Sequence, residues 1–470
     1  MSETPVIGLE ALNVAVRRDI EMIALPTATW VMPLKHPSGR HVYDVAIVGG
    51  GQSGLGAAFA LRREGVPNVL ILDENEPGKE GPWITYARML TLRTPKHLTG
   101  VETGIPSLTF RSWFEGQRGA AAWGQVEKIA RGDWMDYLKW FRDVLDLPVR
   151  NGAWVTGITK AGGLFELAVA GGEPVLARKV VLATGIQGGG EWHVPPNIRE
   201  ALPKSMYAHT SGPVDYEALR GKRIGILGSG ASAFDNANHA LAMGAAETHV
   251  FARREELQRI NPIRHMEKAG MIKGYGMLSD AEKYGALTHF FRLSQPPTND
   301  TFKRSKAQPG FHLHKGSPWN AVRMEGKQAV VTTPKGEHRF DYLIVSTGTI
   351  TDLALRPELS AFVDDIALWR DRDVGTDERN PEIDVHPYLG YGFEMQGRDE
   401  AASERVHGLF MFNYSALASL GMSAAAISGL RFALPRLAEG VVKQIFLDDR
   451  DEILREYYAF ADAEFTADRD

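Results

Sequence analysis

The sequence predicts an α/β chain of two Rossmann-like dinucleotide-binding domains, the second inserted into the first. Three observations predict it. An apolar run, a glycine cluster and a helix-like segment follow one another over residues 44–63; the same order recurs over residues 223–242; and each unit is followed by short apolar runs that return to a sheet. The chain has 470 residues, enough for two to four domains at roughly 100–200 residues each. Its 44% apolar share is ordinary for large buried cores.

Residues 1–40 form an N-terminal extension in which Leu9, Leu12, Val16, Ile20 and Ile23 recur at helical spacing, so an amphipathic helix docking on the first domain is expected. The opening MSETPVIGLE places acids where a secretory signal needs positive charge, and no run of 18 apolar residues occurs. A soluble, cytoplasmic protein is expected.

At the first glycine cluster, the run 44–48 is followed by Gly49, Gly50, Gly51, Gln52, Ser53 and Gly54, then by a helical segment that Gly65 stops, and by a second apolar run, 69–72, ending in Asp73 and Glu74. Gly49 permits the tight turn, Gly51 lets the backbone approach a pyrophosphate, and Gly54 allows close helix–sheet packing. The helix N-terminus favours negative charge. An acid about 20 residues on accepts hydrogen bonds from ribose hydroxyls. All the contextual elements of a dinucleotide site are therefore present, with Gln52 and Ser53 in its first helical turn.

The second cluster runs Gly228, Ser229, Gly230, Ala231, Ser232, Ala233, with Ala233 in place of the third glycine, a substitution the fingerprint tolerates. A stop at Gly244 and a strand at 248–252 follow. That strand ends in Arg253 and Arg254 rather than an acid. Guanidinium groups there suit a ribose 2′-phosphate and favour NADPH over NADH, although two arginines at a strand end are equally an ordinary solvated turn. Two further buried runs, 180–185 and 342–348, break into small-residue turns at Thr184 and at Thr347 and Gly348, beside the expected dinucleotides. The resulting division is 41–214 and 346–470 for the first domain and 215–345 for the inserted one.

These motifs resemble the two-dinucleotide-fold, class B-like flavoprotein monooxygenases over about residues 42–435. In that family the first fingerprint binds FAD and the second NADPH. The resemblance assigns Gly49, Gly51, Gly54 and Asp73 or Glu74 to flavin, and Gly228, Gly230 and Ser232 to the nicotinamide nucleotide (NADPH or NADH). Trp83 within Gly81-Pro82-Trp83, with Arg88 and Met89 after it, looks like the segment that lines the isoalloxazine. His209, in Tyr207-Ala208-His209-Thr210-Ser211, sits where the family carries its linker histidine, but the glycine of that pattern is missing. A closer likeness is to bacterial FAD-dependent urate hydroxylases. It rests on Leu25-Pro26, the 208–211 linker, residues 231–237 and 251–254, and Gln295-Pro296-Pro297.

Flavin with nicotinamide implies hydride transfer, for which the protein supplies orientation and solvent control. A disulfide reductase would pass electrons to a cysteine pair, and the chain contains no cysteine. Electrons therefore go to oxygen. The resemblance implies a C4a-hydroperoxyflavin that hydroxylates a small electron-rich substrate, with urate as the leading candidate. Such chemistry needs a dry pocket. N-hydroxylation of a primary amine is the rival enzyme reading, and a non-catalytic redox-sensing flavin module the rival of another class.

Residues 407–414 read as an apolar strand ending in Asn413 and Tyr414, and Gly421-Met422-Ser423 as the start of a small-residue helix whose N-terminus faces reduced flavin. His209, Arg88 and Asn413 are the catalytic candidates. Arg88, Arg93 and Gln52 are the groups available to hold a flat anion. His312 and His314 alternate with Phe311 and Leu313, too few ligands by themselves for a metal, and none is expected. With 53 basic and 58 acidic side chains, net charge −5, no polyanion footprint appears. The partners expected are a small-molecule substrate and O2, with no nucleic acid and no membrane, and a homo-oligomer is an alternative to a monomer.

Overall fold

A computed structural model describes residues 7–25, 28–98 and 100–465. Pro26, part of the urate hydroxylase likeness, and the first six residues lie outside the described residues.

In chain order the strands are β1 (Val42–Val48), β2 (Val69–Leu72), β3 (Val149–Arg150), β4 (Val155–Ala161), β5 (Leu164–Val169), β6 (Val175–Leu182), β7 (Gly190–Trp192), β8 (Tyr207–His209), β9 (Arg223–Leu227), β10 (Glu247–Phe251), β11 (Phe311–His314), β12 (Ala321–Glu325), β13 (Gln328–Thr333), β14 (Gly336–Phe340), β15 (Tyr342–Val345), β16 (Thr349–Thr351) and β17 (Leu409–Met411). The first sheet has the order β3-β2-β1-β6-β5-β4, with β17 added parallel to β6. The second, all parallel, has the order β11-β10-β9-β15-β8. Near-continuous apolar runs form these central strands because helices and loops cover both faces of a parallel sheet.

Because β17 completes the first sheet after the second has ended, the insertion expected from the sequence is what the topology shows. The boundary differs in one respect. Strand β8 lies within residues 41–214 yet pairs with β15, so the second sheet begins at Tyr207. The short antiparallel pair β7/β16 carries the chain out of the first domain and back. An antiparallel meander, β12-β13-β14, covers one face of the second sheet.

The helices that position the site are α1 (Gly8–Met22), α2 (Gln52–Arg63), α3 (Phe110–Gln125), α4 (Arg131–Val144), α5 (Ala231–Ala242), α6 (Asn299–Lys306) and α7 (Ile427–Ala459). As the spacing predicts, α1 buries Leu12 and Val16 against the first-domain core, and its Asn13 accepts from Trp140 Nε1 of α4 at 2.7 Å. Among the described residues no helix is long and apolar enough to cross a membrane.

The helix expected to open at Gly421 does not start there. Gly421 takes φ +69°, residues 422–426 form a turn, and α7 begins at Ile427. The turn is held because Ser53 in the first turn of α2 donates its hydroxyl to the Ala424 carbonyl at 2.9 Å.

Candidate active site

The first cradle is made by glycines that no other residue can replace. Gly49 has φ +107°, and a Cβ there would stand 2.4 Å from the Ala183 carbonyl oxygen. A Cβ on Gly54 would stand 1.8 Å from the carbonyl oxygen of Gly49. The turn thus passes against both the end of β6 and its own helix, with Gly50 buried and the backbone of Gly51 half-exposed at the N-terminus of α2.

Asp73, at the end of β2, is buried beside this turn. Its Oδ2 accepts from Gly50 N at 2.7 Å, and its Oδ1 accepts from Asn75 N at 2.8 Å and Asn75 Nδ2 at 2.9 Å. Glu74 is exposed. Of the two acids, Asp73 is the one built into the cradle.

A cavity of about 200 Å³ opens over this cradle, lined by Gly50, Gly51, Leu55, Glu80, Met135 and Arg142 among others. That is below the ~300–1,000 Å³ of sites enclosing a whole small molecule, and suits one end of a dinucleotide. Glu80 is buried on its wall, accepting from Arg142 Nη1 at 3.1 Å and Asn151 Nδ2 at 2.6 Å. Sequence reasoning missed this group; its signal was an acid immediately before Gly81-Pro82-Trp83.

Trp83 packs against Gly81, whose backbone in turn lies beside Gly51. Its indole is 8% exposed, lies edge-on to Trp134 with ring centroids 6.2 Å apart, and its Nε1 has no hydrogen-bond partner. A buried donor without a partner is costly unless a ligand completes it. Trp134 is fixed by the aromatic cluster of α3 and α4, and its own Nε1 donates to Gln52 Oε1 at 3.3 Å. Arg131 pins the loop by donating to the carbonyls of Trp83 and Ala87. Glycine cradle, ribose-side acid and orphaned indole donor together fit a flavin dinucleotide.

The second cradle repeats the first. Gly228 has φ +111°, and a Cβ there would stand 2.3 Å from the Ser346 carbonyl oxygen, in the turn after β15 that leads to Thr347. Ser229 and Gly230 are half-buried, Ala231 is buried at the start of α5, and Ser232 is exposed. Arg253 and Arg254 are both exposed beyond β10, with Arg254 Nη2 3.4 Å from the Arg292 carbonyl oxygen. Thr347 donates its hydroxyl to the His193 carbonyl, and His193 N donates to the carbonyl of Gly348 at 2.9 Å. These two bonds brace the crossing between domains.

His209 closes β8 at the same crossing. It is 6% exposed and stacks on Trp192 at 5.3 Å and 16°. Its Nδ1 accepts from Ser211 N at 3.0 Å. The protonated Nε2 lies near the Gly348 carbonyl without reaching hydrogen-bond geometry. Burial pushes its pKa down to about 4, so the ring is neutral at physiological pH and presents one N–H.

Arg88 folds back on its own loop, donating to Thr85 O at 2.8 Å, and its guanidinium lies 5.2 Å over the Tyr216 ring of the second domain. Asn413 is buried. Its Nδ2 donates to Thr184 Oγ1 at 3.0 Å and its Oδ1 accepts from Ser415 N at 2.9 Å, so it braces the turn after β6. Met422 is half-buried in the turn before α7. Arg93 is not a free anion-binding group: it forms an ion pair with Asp235 of α5 across the domain interface. A carboxylate as buried as Asp235 requires such a partner.

Residues 46–268 match the pyridine nucleotide-disulphide oxidoreductase family. Over 461 residues the chain is 56% identical to the FAD-dependent urate hydroxylase of Xanthomonas campestris pv. campestris, covering 97% of each protein. The chain belongs to the FAD-dependent urate hydroxylase family. As a member of that family it shares a fold with amine-hydroxylating flavoproteins of low identity. Ornithine hydroxylase from Pseudomonas aeruginosa aligns with TM-score 0.67 at 18% identity, over 86% of this chain and 100% of that one. The Kutzneria sp. 744 ornithine N-hydroxylase, solved with reduced FAD, NADP+ and L-ornithine, aligns with TM-score 0.62 at 15% identity, over 86% and 99%. The family read from the sequence motifs and the family found by comparison agree.

Proposed function

We propose that the chain is an NAD(P)H-dependent FAD monooxygenase that hydroxylates urate. The observation that carries this reading is the 56% identity over 97% of the chain to a FAD-dependent urate hydroxylase. Two glycine cradles support the pairing of two nucleotides. FAD is assigned to Gly49, Gly51, Gln52, Ser53, Gly54, Asp73 and Trp83, and NADPH or NADH to the 228–232 turn with Arg253 and Arg254. The flavin, when bound, carries two electrons from nicotinamide to O2, one oxygen atom entering the substrate and the other leaving as water.

The chain's own residues do the binding and positioning. Backbone N–H groups at the N-terminus of α2 offer a pyrophosphate site, and Asp73, already oriented by Gly50 and Asn75, faces the ribose side. Trp83 and Trp134 form an apolar wall that excludes water, with the free indole N–H of Trp83 as its polar contact. His209, neutral and stacked on Trp192, is assigned to positioning at the domain crossing rather than to proton donation as a cation. Asn413 holds the Thr184 turn, and Arg88 holds the loop that follows Trp83. With no cysteine, the chain has no thiol to receive electrons. A cytoplasmic enzyme acting on a small molecule and O2 fits these features.

Anaerobic mixing with NADPH or NADH tests the first half: bleaching of the flavin absorbance is expected, and its absence with both would favour a silent flavin module. In air, urate is expected to accelerate NAD(P)H oxidation, with one atom from labelled O2 appearing in hydroxylated urate. Peroxide release without urate consumption, together with coupled turnover of ornithine or lysine, would overturn the substrate assignment.

A further inference from the structure

In the sequence only the His312–His314 alternation on one strand is visible. The parallel register of β10 with β11 sets His249 opposite His312 and Phe251 opposite His314, and Glu247 lies two residues before His249 on the same face. One ligand atom from each of Glu247, His249 and His312 lies within 4.8 Å of the others. The His249 and His312 rings stack with centroids 4.4 Å apart, and His249 Nε2 is 3.1 Å from Glu247 Oε2. The other nitrogen of His249, Nδ1, is 2.9 Å from His314 Nε2.

We propose that Glu247, His249 and His312 form a binding site for a divalent transition ion of the zinc type, with His314 as the residue that orients His249. Zinc–nitrogen and zinc–oxygen bonds of about 2.0–2.2 Å in a tetrahedron place ligand atoms roughly 3.3–3.5 Å apart. The Glu247–His249 pair is already near that separation, and the His312 nitrogen, within 4.8 Å of both, has to move inward to complete the third side. Three protein ligands leave a fourth position for water.

The hydrogen bonds around the trio suit this role. Ligation through His249 Nε2 moves that ring's proton to Nδ1, where it is donated to His314 Nε2, while His314 carries its own proton on the opposite nitrogen. Both rings change tautomer and no proton is released. A metal-bound histidine usually donates its second N–H to an acceptor, and His314 Nε2 serves as that acceptor here. Arg223 Nε donates to the same Glu247 Oε2 at 2.7 Å and fixes the carboxylate, leaving that oxygen's second lone pair for the ion once His249 Nε2 no longer donates to it. Its positive charge sets the affinity below that of a closed structural zinc site. Phe340 stands 5.2 Å from His249, and His338 contacts His314 rather than the trio. An ion here would add a side-chain tie to the backbone pairing of β10 with β11, which residues 252–310 separate in the chain, and so brace the strand that leads to Arg253 and Arg254.

The test uses tag-free, FAD-loaded, full-length protein stripped with a chelator, titrated with Zn2+ by calorimetry and with Co2+ by visible absorption. One ion per chain and the Co2+ bands of a tetrahedral nitrogen–oxygen site are expected. His312→Ala abolishes the bands, His314→Ala weakens Zn2+ binding by about 10–100-fold, and His338→Ala leaves it unchanged. Since His249 is buried and its replacement disturbs β10, His312→Ala and Glu247→Gln are the deciding variants, their fold checked by flavin content and unfolding temperature without metal. No binding by the wild type would overturn the site, and binding by both deciding variants equal to the wild type's would show an adventitious ion only and overturn it as well.

Discussion

Arg93, in the segment that follows Trp83, forms an ion pair with Asp235 of α5, joining the flavin-side loop of the first domain to the helix that rises from the second cradle. Asp235 is 4% exposed and Arg93 27%. Burial raises the Asp235 pKa while Arg93 and Arg304 pull it back. Arg264 Nη2 donates to the Arg93 carbonyl at 3.0 Å, so the backbone of this residue is also fixed from the second domain. Removing one partner of a buried pair costs about 3–5 kcal/mol, and the partial exposure of Arg93 puts Arg93→Met toward the lower end. Urea unfolding is expected to show that loss. Anaerobic stopped-flow should show slower flavin reduction by NADPH at unchanged flavin content. A variant with wild-type reduction kinetics would mean that the pair does not set the relation between the domains.

The two cradles make separable predictions. Gly54→Ala drives a Cβ into the Gly49 carbonyl, so the purified variant is expected without FAD. Gly228→Ala strains a residue at φ +111° against Ser346, in the turn after the neighbouring strand β15. It is expected to keep its flavin and to lose at least about tenfold in the rate of reduction by NADPH, equivalent to ~1.4 kcal/mol. Absorbance spectra and anaerobic reduction check both. A yellow Gly54→Ala protein, or a colourless Gly228→Ala protein, would reverse the assignment of the cradles.

Local pattern makes both cradles legible in the sequence. The run 69–72 and the run 223–227 coincide with β2 and β9, because each is a short apolar segment bounded by glycine or charge. What the chain order hides is long-range pairing. Arg93 meets Asp235 across 142 positions, Glu80 meets Arg142 across 62, and Glu247 and His249 join His312 only because β10 and β11 are parallel neighbours. The misplaced helix at Gly421 has the same origin. Its small residues read as helical, but the Ala424 carbonyl is held by Ser53 from 371 positions away.

Arg253 and Arg254 stand free enough to meet a 2′-phosphate, since both are exposed. A charge-assisted hydrogen bond is worth about 1.5–3 kcal/mol, at the low end for an exposed group. The double variant Arg253→Ala/Arg254→Ala is therefore expected to raise KM for NADPH about tenfold, ~1.4 kcal/mol, and to leave KM for NADH within roughly twofold. Steady-state kinetics with both nucleotides decide it, and a parallel rise for NADH would show that the arginines do not read the phosphate. The NADPH effect should also shrink at high salt, as expected for an exposed contact.

Asp44, in β1, gives the fold a pH dependence of its own. It is 6% exposed, and burial pushes its pKa from 3.8 up to about 6, although Arg178 Nη1 at 3.9 Å pulls the other way. Arg178 spends its closer contact on Asp449, at 2.6 Å, so it only partly compensates Asp44. The folded value lies above the unfolded one, so the native state holds a proton that the unfolded chain has lost between pH 4 and 6. The stability that this proton contributes is fully present below about pH 4 and is lost as pH rises through about 6. At about 1.4 kcal/mol for each pH unit of that interval, ~3 kcal/mol is an upper bound and ~1–3 kcal/mol the expected loss. Asp44→Asn keeps the shape without the charge. Urea unfolding from pH 4 to 8 should find the variant equal to the wild type at the acid end and more stable by that amount above pH 6. Parallel stability curves across the range would mean that Asp44 ionises in the fold at no cost.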